Sequence, residues 1–146
     1  MSSVGLIAMF ADTIILPAIP DLIKDFKISY NTSSWILASF LITGVVITPI
    51  AGRLSNIYGK KKIWLIILGI YAIGISVAAL SNNFTSVLIA RVIQGIGVSI
   101  FPIALGIVRD TFTPEKLAVA QGIISSMFSA GAVIGVAVGG IIIKNF

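Results

Sequence analysis

The charges of this sequence are almost all confined to the breaks between long apolar runs. Cutting at charges, prolines and polar clusters leaves apolar segments at residues 4–20, 32–52, 63–81, 84–108 and 118–143. About 20 residues rising 1.5 Å each cross a hydrocarbon core of about 30 Å, so all but the first segment are long enough to span a bilayer as helices. The first is read as a spanning helix with an abrupt start. It does not read as a signal peptide, because no Lys or Arg precedes it, Asp12 interrupts it, and Pro17 and Pro20 stand where a cleavage site belongs.

Composition agrees with a membrane chain. Hydrophobic residues make up 58% and charged residues 10%, and the mean hydropathy is +1.12. A soluble domain has roughly 45–50% apolar and about 25% charged residues. The expected fold class is therefore all-α and integral to the membrane, a bundle of five transmembrane helices within one domain covering residues 1–146. The lipid bilayer is the first partner.

The net charge of +5 could suggest nucleic acid. A nucleic-acid footprint needs basic residues along a polar face, whereas here they stand at the ends of apolar runs. No nucleic-acid partner is expected. With neither Cys nor His, the chain has no disulfide framework, no zinc site, and no imidazole or thiolate catalyst. Neither a cofactor, a metal nor an enzymatic activity is expected.

The connections give an orientation. "GRLSNIYGKKKIW" joins the second and third segments with Arg53, Lys60, Lys61 and Lys62 and no acid, whereas "SNNF" between the third and fourth is uncharged. Lys and Arg accumulate on the cytoplasmic side, which puts the first of these loops and the N-terminus inside. Arg109 and Lys116 then also fall inside, against Lys24, Lys27 and Lys144 outside. Trp35 and Trp64 open their segments at opposite faces, where amphipathic rings favour the interface. The last segment starts at "TPEKLA", with Thr113 as N-cap, Pro114 at the first helical position and Glu115 in the first turn.

Only Asp12 and Arg91 are ionisable groups well inside these segments. A charge at bilayer depth costs about 2.5–3.5 kcal/mol on insertion scales, so it normally faces a bundle interior or a watery cavity. The alternative is that each snorkels to an interface, which suits the long stem of Arg91 better than the short one of Asp12. Asp12 stands about 12 Å from one edge of the core and Arg91 about 10 Å from the other, so a guanidinium stem could bring the two together. Each opens a three-helix unit at a similar offset, in helices running in opposite directions, as in the inverted repeats of many transporters.

Three stretches together resemble the N-terminal part of a major facilitator superfamily transporter, and most closely its drug:proton antiporter branches. "ADTIILPAIPDL" is similar to the first-helix signature Leu-Asp-x-Thr-Ile-Val-Asn-x-Ala-Leu-Pro, with Asp12, Thr13, Ile14, Pro17 and Pro20 near matching places. "GRLSNIYGKKK" resembles the loop motif Gly-x-Leu-Ala-Asp-Arg-x-Gly-Arg-Lys, and falls on the loop already read as cytoplasmic. "LIARVIQGIGVS" resembles the fourth-helix motif Leu-x-x-x-Arg-x-x-Gln-Gly-x-Gly, at Leu88 or its neighbour, Arg91, Gln94, Gly95 and Gly97.

The resemblance implies roles. Arg91 and Gln94 would line a substrate cavity, and Asp12 and Arg91 would couple transport to protons. Arg91 does not deprotonate, so it would tune the acid while Asp12 carries the proton. Gly52, Asn56, Gly59, Lys60 and Lys61 would form a conformational gating loop. The small-molecule substrate and protons would be the transported partners, at the plasma membrane. Two departures stand out: Asn56 and Ile57 replace the acid and Arg of the loop motif, which leaves its charge relay incomplete. In "GAVIGVAVGG", similar to the antiporter motif Gly-x-x-x-Gly-Pro-x-x-Gly-Gly, Val136 replaces Pro. Gly131, Gly135, Gly139 and Gly140 are expected to pack helices closely, as small residues do in lipid.

Shorter features carry less. Gly95-Ile96-Gly97 is no nucleotide loop, because no strand precedes it and a third Gly is missing. Pro49 and Pro102 are expected to kink their helices.

The family has twelve or fourteen helices, with the cavity between two six-helix halves. Five helices are expected not to transport alone, which makes the chain a truncated product or a fragment of a carrier whose C-terminal half is missing. The alternative is a small helical membrane protein that acts by assembly with itself or a partner through its Gly-rich faces.

Overall fold

The computed structural model describes residues 2–13, 19–25, 27 and 29–145. Among them there is no strand. The helices run α1 (Ser2–Thr13), α2 (Ile19–Asp25), α3 (Tyr30–Tyr58), α4 (Lys60–Ala79), α5 (Phe84–Gly95), α6 (Ile100–Thr111) and α7 (Pro114–Asn145), with a 3₁₀ turn (Ile96–Ser99) between α5 and α6. Among the described residues, four stretches are long and apolar enough to cross a membrane: Tyr30–Tyr58, Lys60–Ala79, Phe84–Thr111 and Pro114–Ile142. The chain is a multi-pass membrane protein. The first expected helix, residues 4–20, is seen as α1 and the start of α2, and residues 14–18 lie outside the described residues.

Several helices outrun the apolar segments that announce them. α3 covers 29 residues and α7 covers 32, where hydropathy marked 32–52 and 118–143. A helix satisfies its backbone internally in water as well as in lipid, so its ends need not coincide with the membrane boundary.

The chain forms two compact units. Residues 28–107 make the first, from α3, α4, α5 and the 3₁₀ turn. Ser29 caps α3, its hydroxyl oxygen accepting from the Thr32 amide at 3.3 Å. Asn83 caps α5 in the same way, from the Ser86 amide at 2.8 Å. α3 and α4 are joined by one residue, Gly59, at φ 98° and ψ 129°, a conformation that side-chain-bearing residues avoid.

The inward faces of these helices follow helical spacing. α4 buries Ile63, Trp64, Ile67, Tyr71 and Gly74; α5 buries Val87, Ala90, Arg91, Gln94 and Gly95. Trp64, near the start of α4, is 5% exposed and belongs to its packed stripe, whereas Trp35 is 58% exposed. Close approach is made at glycines. A Cβ on Gly95 would stand 2.5 Å from the Phe40 carbonyl oxygen of α3, and one on Gly74 would stand 2.9 Å from Cγ of Gln94.

The 3₁₀ turn has a local cause. Pro102 has no N–H to give Val98, and its ring crowds that carbonyl, so the preceding turn cannot keep regular α-helical bonds. Ser99, which is fully buried, donates its hydroxyl to the Ile96 carbonyl at 2.7 Å.

Residues 1–27 and 108–146 form the second unit, in which α1 packs against α7. Ile124, Phe128, Gly131, Gly135 and Gly139 are buried along one stripe of α7. A Cβ on Gly131 would run into the Leu6 carbonyl, and one on Gly135 would lie 2.8 Å from the Phe10 carbonyl. Gly140 faces open space. Pro114 is the first residue of α7, and the Thr113 carbonyl accepts from the Leu117 amide at 3.0 Å.

Candidate functional site

Among the described residues, α5 buries a charged side chain and an amide, Arg91 and Gln94. Val87, Ala90, Arg91 and Gln94 recur at three- and four-residue spacing, so whichever side of α5 buries Val87 and Ala90 must also bury the guanidinium and the amide. Arg91 and Gln94 are each 4% exposed. Arg91 thus turns into the unit and does not snorkel outward along the helix surface.

Two helices receive these side chains. The Arg91 guanidinium carbon lies 5.9 Å from the centre of the Phe40 ring on α3, within reach of a cation–π contact. On the other side, the bare surface of Gly74 on α4 accommodates Gln94. The Oε1 of Gln94 is buried with no hydrogen-bond partner among the described residues. A buried acceptor left open costs about 1–3 kcal/mol. The interior therefore holds a permanent cation and an unused acceptor one turn apart, a combination suited to a polar guest that brings an acceptor for the guanidinium and a donor for the amide oxygen.

Asp12 belongs to the other unit. It sits in the last turn of α1 and is half-buried. Leu6 and Phe10 turn their backbones toward α7. At 100° per residue, Asp12 is about 200° around the helix from Phe10, on the side away from α7 and one turn beyond buried Ala8. The next residue, Thr13, donates its hydroxyl to the Met9 carbonyl at 2.6 Å. Ile14 and Pro17 of the first-helix signature lie outside the described residues.

The five residues named for the gating loop gather at one end of the first unit, but most of them are helical. Gly52 and Asn56 lie on the final turns of α3 and Lys60 and Lys61 open α4, leaving Gly59 as the loop itself. Lys60 is the member tied to another element: its Nζ donates to the Gly106 carbonyl on α6 at 3.4 Å. Asn56 and Lys61 are exposed, and Gly52 has open space beside it.

Phe40 and Gly74 were not singled out in the sequence. Nothing distinguishes Phe40 from other apolar residues of α3 until α5 is laid across it. The buried Nε1 of Trp64 also lacks a partner among the described residues. Another feature not read from sequence is an apolar groove of about 530 Å³ where α6 ends and α7 begins, lined by Val108, Phe112, Val119 and Ile123 with Glu115 and Lys116 at its edge.

Known proteins resemble the chain over its full extent. The family model described as Major Facilitator Superfamily matches residues 1–146. Multidrug resistance protein 3 of Bacillus subtilis is 32% identical over 94% of the chain and 27% of its own length. Multidrug transporter protein MdtP of the same organism is 32% identical over 96% of the chain and 27% of its own length. The tetracenomycin C resistance and export protein of Streptomyces glaucescens is 30% identical over 98% and 27%. The chain thus spans about a quarter of the length of these relatives.

Proposed function

Because the chain belongs to the major facilitator superfamily, whose members are transporters, we propose that the complete protein exports small amphipathic molecules across the plasma membrane in exchange for protons. The residues described here supply part of one wall of its cavity. The N-terminus is cytoplasmic, which places the Gly59 turn and its lysines inside.

The observation that carries this reading is the burial of Arg91 beside Gln94 on the inward face of α5. A carrier needs polar groups at membrane depth that bind a solute and let it go again. In this reading Arg91 is a fixed positive charge lining the cavity, and Asp12 is the carboxyl that gains and loses the transported proton. Gln94 offers its open acceptor to the solute. Gly52, Asn56, Gly59, Lys60 and Lys61 form the hinge region that changes between states, with Lys60 releasing and regaining the end of α6. The names of the relatives support export of drug-like solutes.

The test is proton-driven accumulation of a lipophilic cationic dye in everted vesicles that carry the complete protein. Dye should accumulate when a pH gradient is imposed and leak out when an ionophore collapses it. Arg91→Ala and Asp12→Asn should each reduce accumulation to background. Accumulation that survives both substitutions would remove the assigned roles.

A further inference from the structure

The outward side of α4 is a second ordered surface, unconnected with the buried face of α5. Lys61, Lys62, Leu65, Ile66, Gly69 and Ile73 all face out, at the spacing of a single helical stripe. The opposite stripe, with Ile63, Trp64, Ile67 and Tyr71, is buried. In a helix that spans a bilayer, such an outward stripe meets acyl chains along its length and headgroups at its end. Gly69 interrupts it with open space, since a Cβ built there would meet nothing within 4 Å. The result is a notch between Ile66 and Ile73.

The charged end of the stripe has no counter-charge in its own segment. From Arg53 to Trp64 the sequence holds four cations and no acid. Lys60 turns away to the Gly106 carbonyl, whereas Lys61 and Lys62 remain exposed. Helix stability does not explain them, because cations in a first turn oppose the positive end of the helix dipole, and α4 has neither a first-turn acid nor a side-chain cap to offset them. Both lysines lie at the N-terminal end of the apolar stripe, in the first turn of α4.

We propose that Lys61 and Lys62 hold the phosphate of an anionic phospholipid, with one of its acyl chains lying in the notch at Gly69 between Ile66 and Ile73. The inference rests on α4 spanning a membrane with this stripe turned to lipid; it does not rest on the transport reading. A lipid fits better than a free anion, because the cations continue an apolar track and because ions in bulk water screen exposed charges within about 8–10 Å.

The experiment titrates the purified chain in nonionic detergent with phosphatidylglycerol, phosphatidylcholine or inorganic phosphate and counts bound lipid by native mass spectrometry. Phosphatidylglycerol should bind in preference to phosphatidylcholine, and millimolar inorganic phosphate should not displace it. Lys61→Gln with Lys62→Gln should weaken phosphatidylglycerol by roughly 25-fold, about fivefold for each lysine near an anionic headgroup. Lys24→Gln with Lys27→Gln, which removes the same charge from exposed positions elsewhere, should leave it unchanged. Gly69→Leu should weaken phosphatidylglycerol with every charge retained, and Lys61→Arg with Lys62→Arg should keep binding. Equal weakening by the two lysine pairs would overturn the proposal in favour of general charge attraction. Displacement by inorganic phosphate, or indifference to both Lys61→Gln/Lys62→Gln and Gly69→Leu, would also overturn it.

Discussion

The guanidinium carbon of Arg91 on α5 stands 5.9 Å from the centre of the Phe40 ring on α3. A cation over an aromatic face gains about 0.5–2 kcal/mol, the upper value applying when it is desolvated. Phe40→Leu keeps an apolar side chain at that place and removes the ring face. It should destabilise the chain by about 1–2 kcal/mol, read as a lower thermal midpoint in detergent. Phe40→Tyr, which retains the face, should stay close to wild type.

Gly95 is a matter of contact between backbones. A Cβ there would meet the Phe40 carbonyl oxygen at 2.5 Å and the Thr43 Cβ at 2.7 Å, and the carbonyl cannot swing aside as a flexible side chain would. Gly95→Ala should cost about 1–3 kcal/mol, the usual range for overpacking. Gly52→Ala, in open space on α3, should be neutral or slightly stabilising, because alanine is the better helix former by about 1 kcal/mol. Unfolding midpoints of the two variants should move in opposite directions or differ by at least that interval.

Gly59 isolates a backbone effect from a steric one. No atom lies within 4 Å of a Cβ built there, yet its φ is 98° with ψ at 129°. Gly59→Ala should cost about 1–3 kcal/mol from dihedral strain alone. Asparagine tolerates the left-handed helical region near ψ of about 47°. It should therefore not rescue this position. Equal midpoints for Gly59→Asn and wild type would contradict the geometry.

How much of this was legible in the sequence varies element by element. The membrane-spanning helices were legible because apolar runs of that length have few other fates. Their ends were not, since hydropathy reports contact with lipid and α3 and α7 stay helical beyond it. The shared face of Arg91 and Gln94 follows from a three-residue spacing, and their burial follows once Val87 and Ala90 are seen on the same side. Phe40 was not legible, because its role comes from a helix more than forty residues later in the chain. The burial of Trp64 was missed for a related reason. Its position at the start of an apolar run suggested an interface but said nothing of its register with Ile67 and Tyr71, which sends it inward. The stripe of Gly131 and Gly135 was legible as a packing surface, but that its partner is the backbone of α1 was not.

That partner makes a paired comparison possible on α7. Gly135→Ala would place a methyl group 2.8 Å from the Phe10 carbonyl and 3.0 Å from the Thr13 Cβ, whereas Gly140→Ala meets nothing. The first should loosen α1 from α7 and speed proteolysis within residues 2–13, and the second should not. The two variants should also differ by about 1–3 kcal/mol in unfolding free energy.

Gln94 separates stability from function. Its Oε1 is buried without a hydrogen-bond partner among the described residues, and an acceptor in that condition works against folding. Methionine has nearly the same length and preserves the Cγ that faces Gly74, but it has no amide to desolvate. Gln94→Met should therefore hold the thermal midpoint of the chain or raise it, with a stability gain of up to about 1 kcal/mol. In the complete protein the same change removes the acceptor assigned to the solute, and dye accumulation in everted vesicles should fall while Arg91 remains in place. A residue kept for packing would behave in the opposite way, losing stability and sparing transport. A lower midpoint with normal accumulation would make Gln94 a structural residue and leave Arg91 as the sole polar group of the proposed cavity on α5.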